Sequence, residues 1–118
     1  MLPREHRLRL GNEFTLAFRR GRRCGSRRLV VHVYTPDDGT HASRVGFVVS
    51  KAVGNAVVRN RVKRRLRAAV SSRMGEVPEG ALMVVRALPA SARADFRELS
   101  ADLDSCLAKL GRAGWLRR

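Results

Sequence analysis

With 118 residues, of which 44% are hydrophobic, the chain suits one domain (1–118) with a modest core and does not match the composition of a disordered segment. No apolar run approaches the about 20 residues of a membrane span, and the start, MLPREHRLRLGNEF, lacks the apolar centre of a signal peptide. The formal net charge is +15, and up to Gly75 there are 18 Lys/Arg against 4 Asp/Glu, whereas the remainder carries 7 against 6.

Folding needs no such imbalance, and self-repulsion makes it a cost. A polyanion would neutralise it, with nucleic acid the first candidate and an acidic membrane surface the second. Arginine outnumbers lysine 22 to 3, which suits planar, bidentate contacts to phosphate and stacking on bases. Cys24 and Cys106 make neither a disulfide framework nor a zinc site. Two reduced thiols in a cytoplasmic protein are expected, with Cys106 on the apolar face of a helix.

GNEFTLAFRRG (11–21) predicts a short helix that Asn12 can cap and Gly21 can end. Phe14, Ala17 and Phe18 share one of its faces. A basic stretch follows at 19–28, itself a candidate edge strand. LVVHVYT (29–35) predicts a strand, PDDG (36–39) a turn and RVGFVVS (44–50) a second strand. GNAV (54–57) leads into a helix over 56–73. GEVPEG (75–80) reads as a loop. ALMVVRAL (81–88) is nearly all apolar, which predicts a central strand. After the connection PASARA, Asp95 and Glu98 form a D-x-x-E capping pattern. The last helix then carries Phe96, Leu99, Leu103, Cys106, Leu107 and Leu110 as its apolar stripe, and Gly111 or Gly114 ends it. This order indicates an α+β, two-layer sandwich with helices packed on a small sheet.

The helix over 56–73 carries the sharpest signal. On a helical wheel Val58, Leu66, Ala69 and Val70 fall within about 80° of Val62. Asn60, Lys63, Arg64 and Arg67 take the opposite side, and Arg59, Arg61 and Arg65 flank the two faces. No acid occurs over 57–73. An ordinary exposed helix mixes signs, because opposite charges at i, i+4 support it and like charges cost a few tenths of a kcal/mol. A plain solvated face therefore explains it poorly, whereas phosphates along the face would turn repulsion into binding. Asn60 is either a hydrogen-bonding group for ribose, base or phosphate, or a neutral helix residue. The absence of an exposed large-apolar face argues against a membrane-surface role.

Charge does not separate DNA from RNA. No helix-turn-helix, zinc or basic-zipper frame is evident. Phe14, Phe18, Tyr34 and Phe47 lie near predicted strands, where exposed aromatics can stack single-stranded bases. Core and stacking readings are balanced for Phe14 and Phe18, and core is favoured for Phe47. His6, His32 and His41 are scattered, Asp37 and Asp38 sit in a turn, and Asp102 and Asp104 cannot share a helix face. No catalytic constellation emerges.

The segment GNAVVRNRVKRRLR (54–67) resembles the arginine-rich RNR signature of the bacterial ribonuclease P protein subunit family. The opening MLPREHRLR…EF…FRRGRR, the strand RVGFVVSKAVGNAV and the closing LMVVRALPA…F.EL..DL…L resemble that family in the same order. The resemblance implies a four-stranded α+β sandwich similar to ribosomal protein S5 domain 2, with a left-handed β-α-β crossover. It implies the protein component of a ribonucleoprotein endoribonuclease, whose catalytic RNA removes the 5′ leader of precursor tRNA by Mg2+-dependent hydrolysis. By the same resemblance the active site and most of the metal belong to the RNA, and no stable protein partner is expected.

Carried over by position, Arg59, Asn60, Arg61, Lys63, Arg64 and Arg67 would face the catalytic RNA. Ser50 and Lys51 match the family's SK, although Ala52 stands where a second lysine often follows. Phe14 and Phe18 match first-helix aromatics lining a leader cleft. Its floor would hold His32, where many relatives have an aromatic, and Tyr34 on the same strand face; either or both would stack. The alternatives are a ribosomal-type RNA-binding or assembly protein of the same fold, and an autonomous nuclease.

Overall fold

A computed structural model describes residues 11–35 and 42–112. In chain order the elements are α1 (Gly11–Arg20), β1 (Arg22–Gly25), β2 (Leu29–Tyr34), β3 (Arg44–Val48), α2 (Ala56–Ser71), β4 (Leu82–Ala87) and α3 (Phe96–Arg112). Short 3-10 helices occupy Met74–Glu76 and Pro89–Arg93. The basic stretch does contribute an edge strand. The expected turn at 36–39, with Asp37 and Asp38, and also His6, His41 and Gly114, lie outside the described residues. Helix α1 begins at Gly11, so Asn12 sits inside its first turn and not before it. Helix α2 ends at Ser71, two residues earlier than its periodicity suggests.

The strands form one mixed sheet in the order β1-β2-β4-β3. The apolar strand β4 is central, antiparallel to β2 and parallel to β3. A parallel pair needs a crossover connection, which α2 supplies between β3 and β4. Alternation along the strands then gives the sheet two different faces. Leu29, Val31, Val33, Met83 and Val85 join the main core with α2 and α3. Leu82 and Val84 point the other way, onto Ala17 of α1, with Phe14, Leu16, Tyr34 and Val48 packed around them.

Helix α3 is fixed at several points. Its N-terminus has the reciprocal capping box: Glu98 N donates to the Asp95 carboxylate at 2.8 Å and Asp95 N donates to Glu98 Oε1 at 3.0 Å. Arg28 bridges to Glu98 at 3.1 Å and to Asp102 at 3.2 Å, tying the start of β2 to the helix. Arg73, just past α2, holds Asp104. Leu99, Leu103, Cys106, Leu107 and Leu110 are buried as expected. Phe96 is not, being 46% exposed. Helical side chains lean toward the N-terminus, so a first-turn residue projects past the packed layer even when its angle is right. Gly111 does not end the helix, which continues to Arg112.

The thiols are free, and Cys106 donates to the Cys24 carbonyl at 3.2 Å. Burial, then Cys24, pushes the Cys106 thiol up to about 12. Between α1 and β1, Gly21 passes very close to β2. A Cβ there would lie 2.5 Å from the Val33 carbonyl oxygen and closer still to that of Ala17. Only glycine permits this approach.

Asp95→Ala should cost about 1 kcal/mol, the usual value of a lost N-cap. Glu98→Ala should cost more, because it also removes the Arg28 bridge. Urea denaturation of the two variants against the parent checks the order.

Candidate nucleic-acid interface

The local sequence starts α2 cleanly. Asn55 is the N-cap, its side-chain oxygen accepting from Val58 N at 2.9 Å. Val62, Leu66, Ala69 and Val70 are fully buried, while Val58 is half-buried at the edge of the same core. That seat turns Asn60, Arg64 and Arg67 into solvent, with Lys63 half-buried beside them. Among the described residues no acid pairs with any of these four. The acids of α3 are engaged with the cap, Arg28 and Arg73 instead.

The flanking arginines have a second task. Arg59 Nε donates to the Gly54 carbonyl at 3.1 Å, Arg61 to the Ala92 carbonyl at 3.4 Å and Arg65 to the Ala94 carbonyl at 2.6 Å. Arg61 and Arg65 thus clamp α2 to the segment that leads into α3. Each guanidinium carries five donors, so these bonds fix its position and leave other N–H groups for a partner. Ser50 and Lys51 are exposed in the turn before α2, closed by Val53 N donating to the Ser50 carbonyl at 3.0 Å.

The second candidate surface is on the other face of the sheet, beneath α1. Phe14 is half-buried there and Phe18 is 40% exposed. The Phe18 ring meets His32 edge-on, with centroids 4.7 Å apart and planes at 81°. Tyr34 is half-buried on the same strand face. The structure therefore brings together Phe14, Phe18, His32 and Tyr34. It gives them unequal access, since His32 is only 4% exposed.

Register supplies two residues that the sequence reading missed. Arg23 of β1 is the direct partner of His32, and His32 is in turn the partner of Val84 on β4. Arg86, two residues along β4, reaches the same face. Burial, then Arg86, then Arg23, lowers the His32 pKa below its ordinary value of 6.5, which keeps the ring neutral at neutral pH. Both ring nitrogens and Arg86 Nε are buried, with no hydrogen-bond partner among the described residues. Strand alternation from His32 could have pointed to Arg86 only with the β2–β4 register known.

Arg27 and Arg93 were also missed. They line a hollow of about 560 Å3 with Val53, Pro89 and the Arg28–Glu98 pair. No group of three or more His, Cys, Asp or Glu able to hold a metal occurs among the described residues. No helix among the described residues is long and apolar enough to cross a membrane.

The lowered His32 pKa has a definite sign. The unfolded chain takes up the proton near 6.5, while the folded chain resists it. The neutral ring therefore contributes stability that is fully present above 6.5 and is lost as pH falls toward the depressed folded value. His32→Phe should lose less stability than the parent between about pH 7 and about pH 5.5, measured as urea midpoints across that range.

The family model for Ribonuclease P matches residues 2–111. The "Ribonuclease P protein component" of Beutenbergia cavernae is 59% identical over 111 residues, spanning 94% of this chain and 92% of that protein. The protein of the same name from Streptomyces bikiniensis is 51% identical over 117 residues, spanning 93% and 95%. Among solved structures, the RNase P protein of Thermotoga maritima superposes with a TM-score of 0.74 at 30% identity, covering 87% of this chain and 96% of that one. The Staphylococcus aureus RNase P protein shares the fold, with a TM-score of 0.78 at 22% identity over 95% and 98%. A basic helix in an RNR context, seated on a four-stranded mixed sheet, thus comes with a family match over nearly the whole length: the chain belongs to the ribonuclease P protein family.

Proposed function

We propose that this chain is the RNA-binding protein component of ribonuclease P, working with a catalytic RNA to remove the 5′ leader of precursor tRNA. The observation that carries this is the exposed, acid-free face of α2 in a member of this family. Asn60, Lys63, Arg64 and Arg67, with the remaining N–H groups of Arg59, bind phosphates of the catalytic RNA, and Arg61 supports them from its anchored position. Ser50 and Lys51 extend that contact at the start of the helix. Binding releases counterions, so the interaction weakens steeply with salt.

The cleft beneath α1 holds the single-stranded leader. Phe18, the most open of its aromatics, and Tyr34 stack on bases without strong base reading. His32 forms the floor rather than a stacking platform, since its ring is already covered. The hydrolytic site and the Mg2+ ions belong to the partner RNA. The protein lowers the repulsion between two RNAs, and with it the magnesium needed. A cytoplasmic location follows from tRNA maturation as the task.

Arg64→Ala and Arg67→Ala should each weaken binding to a bacterial ribonuclease P RNA. Each should also reduce the slope of log affinity against log salt by about 0.7–0.9, the value of one phosphate contact. Fluorescence titrations at several salt concentrations check this, and an unchanged slope in both variants would remove α2 from the RNA face. Phe18→Ala should lower affinity for precursor tRNA about 5- to 100-fold, the worth of one stacked base, and leave affinity for mature tRNA unchanged. Equal losses for the two tRNAs would take the leader out of the cleft.

A further inference from the structure

The buried polar atoms beneath Phe18 have no hydrogen-bond partner among the described residues. His32 is 4% exposed, yet among the described residues neither ring nitrogen has a partner, and Arg86 Nε beside it is buried and likewise unpartnered there. Buried polar groups nearly always find a partner, and leaving one unmade costs about 1–3 kcal/mol. Arg23 faces the same ring as its direct neighbour across β1–β2. The two guanidiniums are donors only, and a protonated imidazole would be a third. A neutral imidazole adds one donor and one acceptor, so the group that answers most of these donors is an acceptor, and the positive charge of Arg23 and Arg86 favours an anion that also brings a proton onto His32. A neutral base edge or a water would satisfy hydrogen bonds but not the charge.

We propose that Arg23, His32 and Arg86 form a receptor for one phosphodiester group of single-stranded RNA, reached when the Phe18 ring turns aside. This rests on the leader-cleft reading above and adds to it the chemistry of one subsite. Phe18, 40% exposed and in edge contact with the imidazole, is placed to open by a change of rotamer. The stacked base and the held phosphate would then be adjacent parts of one strand.

The receptor is linked to protons. Helix α1 presents Phe18 to the imidazole and carries Arg19 and Arg20 in its last turn. Strand β1 presents Arg23, β2 itself carries Tyr34 on that face, and β4 presents Arg86. In the free protein Arg86 and Arg23 oppose protonation of His32. A phosphate among the three groups screens both cations and accepts from the imidazolium. Its arrival raises the His32 pKa, so binding draws in a proton and tightens as pH falls from about 7.5 to about 6.

The test is an NMR titration of the imidazole signals of the full chain, with His32→Phe used to assign the resonance. Pentauridylate serves as the probe, and the same oligomer with uncharged methylphosphonate linkages serves as its control. The free protein should titrate below 6.5, and saturation with pentauridylate should raise that midpoint by about one unit, equivalent to tenfold tighter binding to the protonated form. The neutral-backbone oligomer should not raise it, and Arg86→Gln should raise the free midpoint while reducing the RNA-induced rise. If signals from α1 and β2 shift with pentauridylate but the His32 midpoint stays or falls, RNA occupies the cleft without a phosphate there and the receptor is wrong. An equal rise with the methylphosphonate oligomer would overturn it as well. If pentauridylate moves none of the cleft signals, the leader-cleft reading itself fails and takes the receptor with it.

Discussion

Val62, Leu66, Ala69 and Val70 lie along one side of α2 and are fully buried against the sheet and α3. Burying a Val or Leu side chain contributes roughly 1.5–3 kcal/mol, an upper figure when measured against an extended chain. Like-charge neighbours on the other side cost only about 0.2–0.5 kcal/mol per pair. The apolar seat therefore wins. It holds a helix that would otherwise disfavour itself, and it leaves Arg64 and Arg67 no direction but outward. The carbonyls of Ala92 and Ala94 add a second hold through Arg61 and Arg65.

Allocation of the acids completes the effect. Glu98, Asp102 and Asp104 are all on α3, and each is committed to an arginine or to the helix cap. The same contacts that fix α3 to β2 and to the end of α2 thus withhold anionic partners from the α2 face. A charge that the protein could have neutralised internally is presented to solvent instead. The aromatic cleft is formed separately, on the opposite face of the sheet, beneath α1. The loop between β3 and α2, which carries Ser50 and Lys51, runs from the sheet to the start of the basic helix. One small sheet in this way keeps two surfaces apart, one rich in charge and one mixing aromatics with Arg23, Arg86 and a buried histidine.

Much of this was legible because it is local. The amphipathic period of α2, the Asp95–Glu98 box, the central apolar strand and the edge strand at 22–25 depend on neighbours a few residues away. The RNR context did the same for the family. What could not be read depends on register and on long-range contacts. Arg28 meets Asp102 across 74 residues and Arg73 meets Asp104 across 31. Nothing in the alternation of β2 says that His32 will be covered by Phe18, nor that Arg86 will share its face. Phe96 was misread because a helical wheel gives angle but not height along the axis. The division of the arginines between anchoring and exposed positions was likewise invisible, because it depends on where the segment before α3 comes to lie.

The claim beneath all of this is that the protein makes an RNA active site work and has none of its own. The most direct measurement is cleavage of precursor tRNA at limiting magnesium by a bacterial ribonuclease P RNA alone, by this protein alone and by the two combined. The account predicts that only the combination cuts efficiently, and at the mature 5′ end. Cleavage by the protein alone, with contaminating nuclease excluded, would contradict it. So would a combination no better than the RNA alone when the protein is bound, and a ribosomal-type binding module would then describe the chain better.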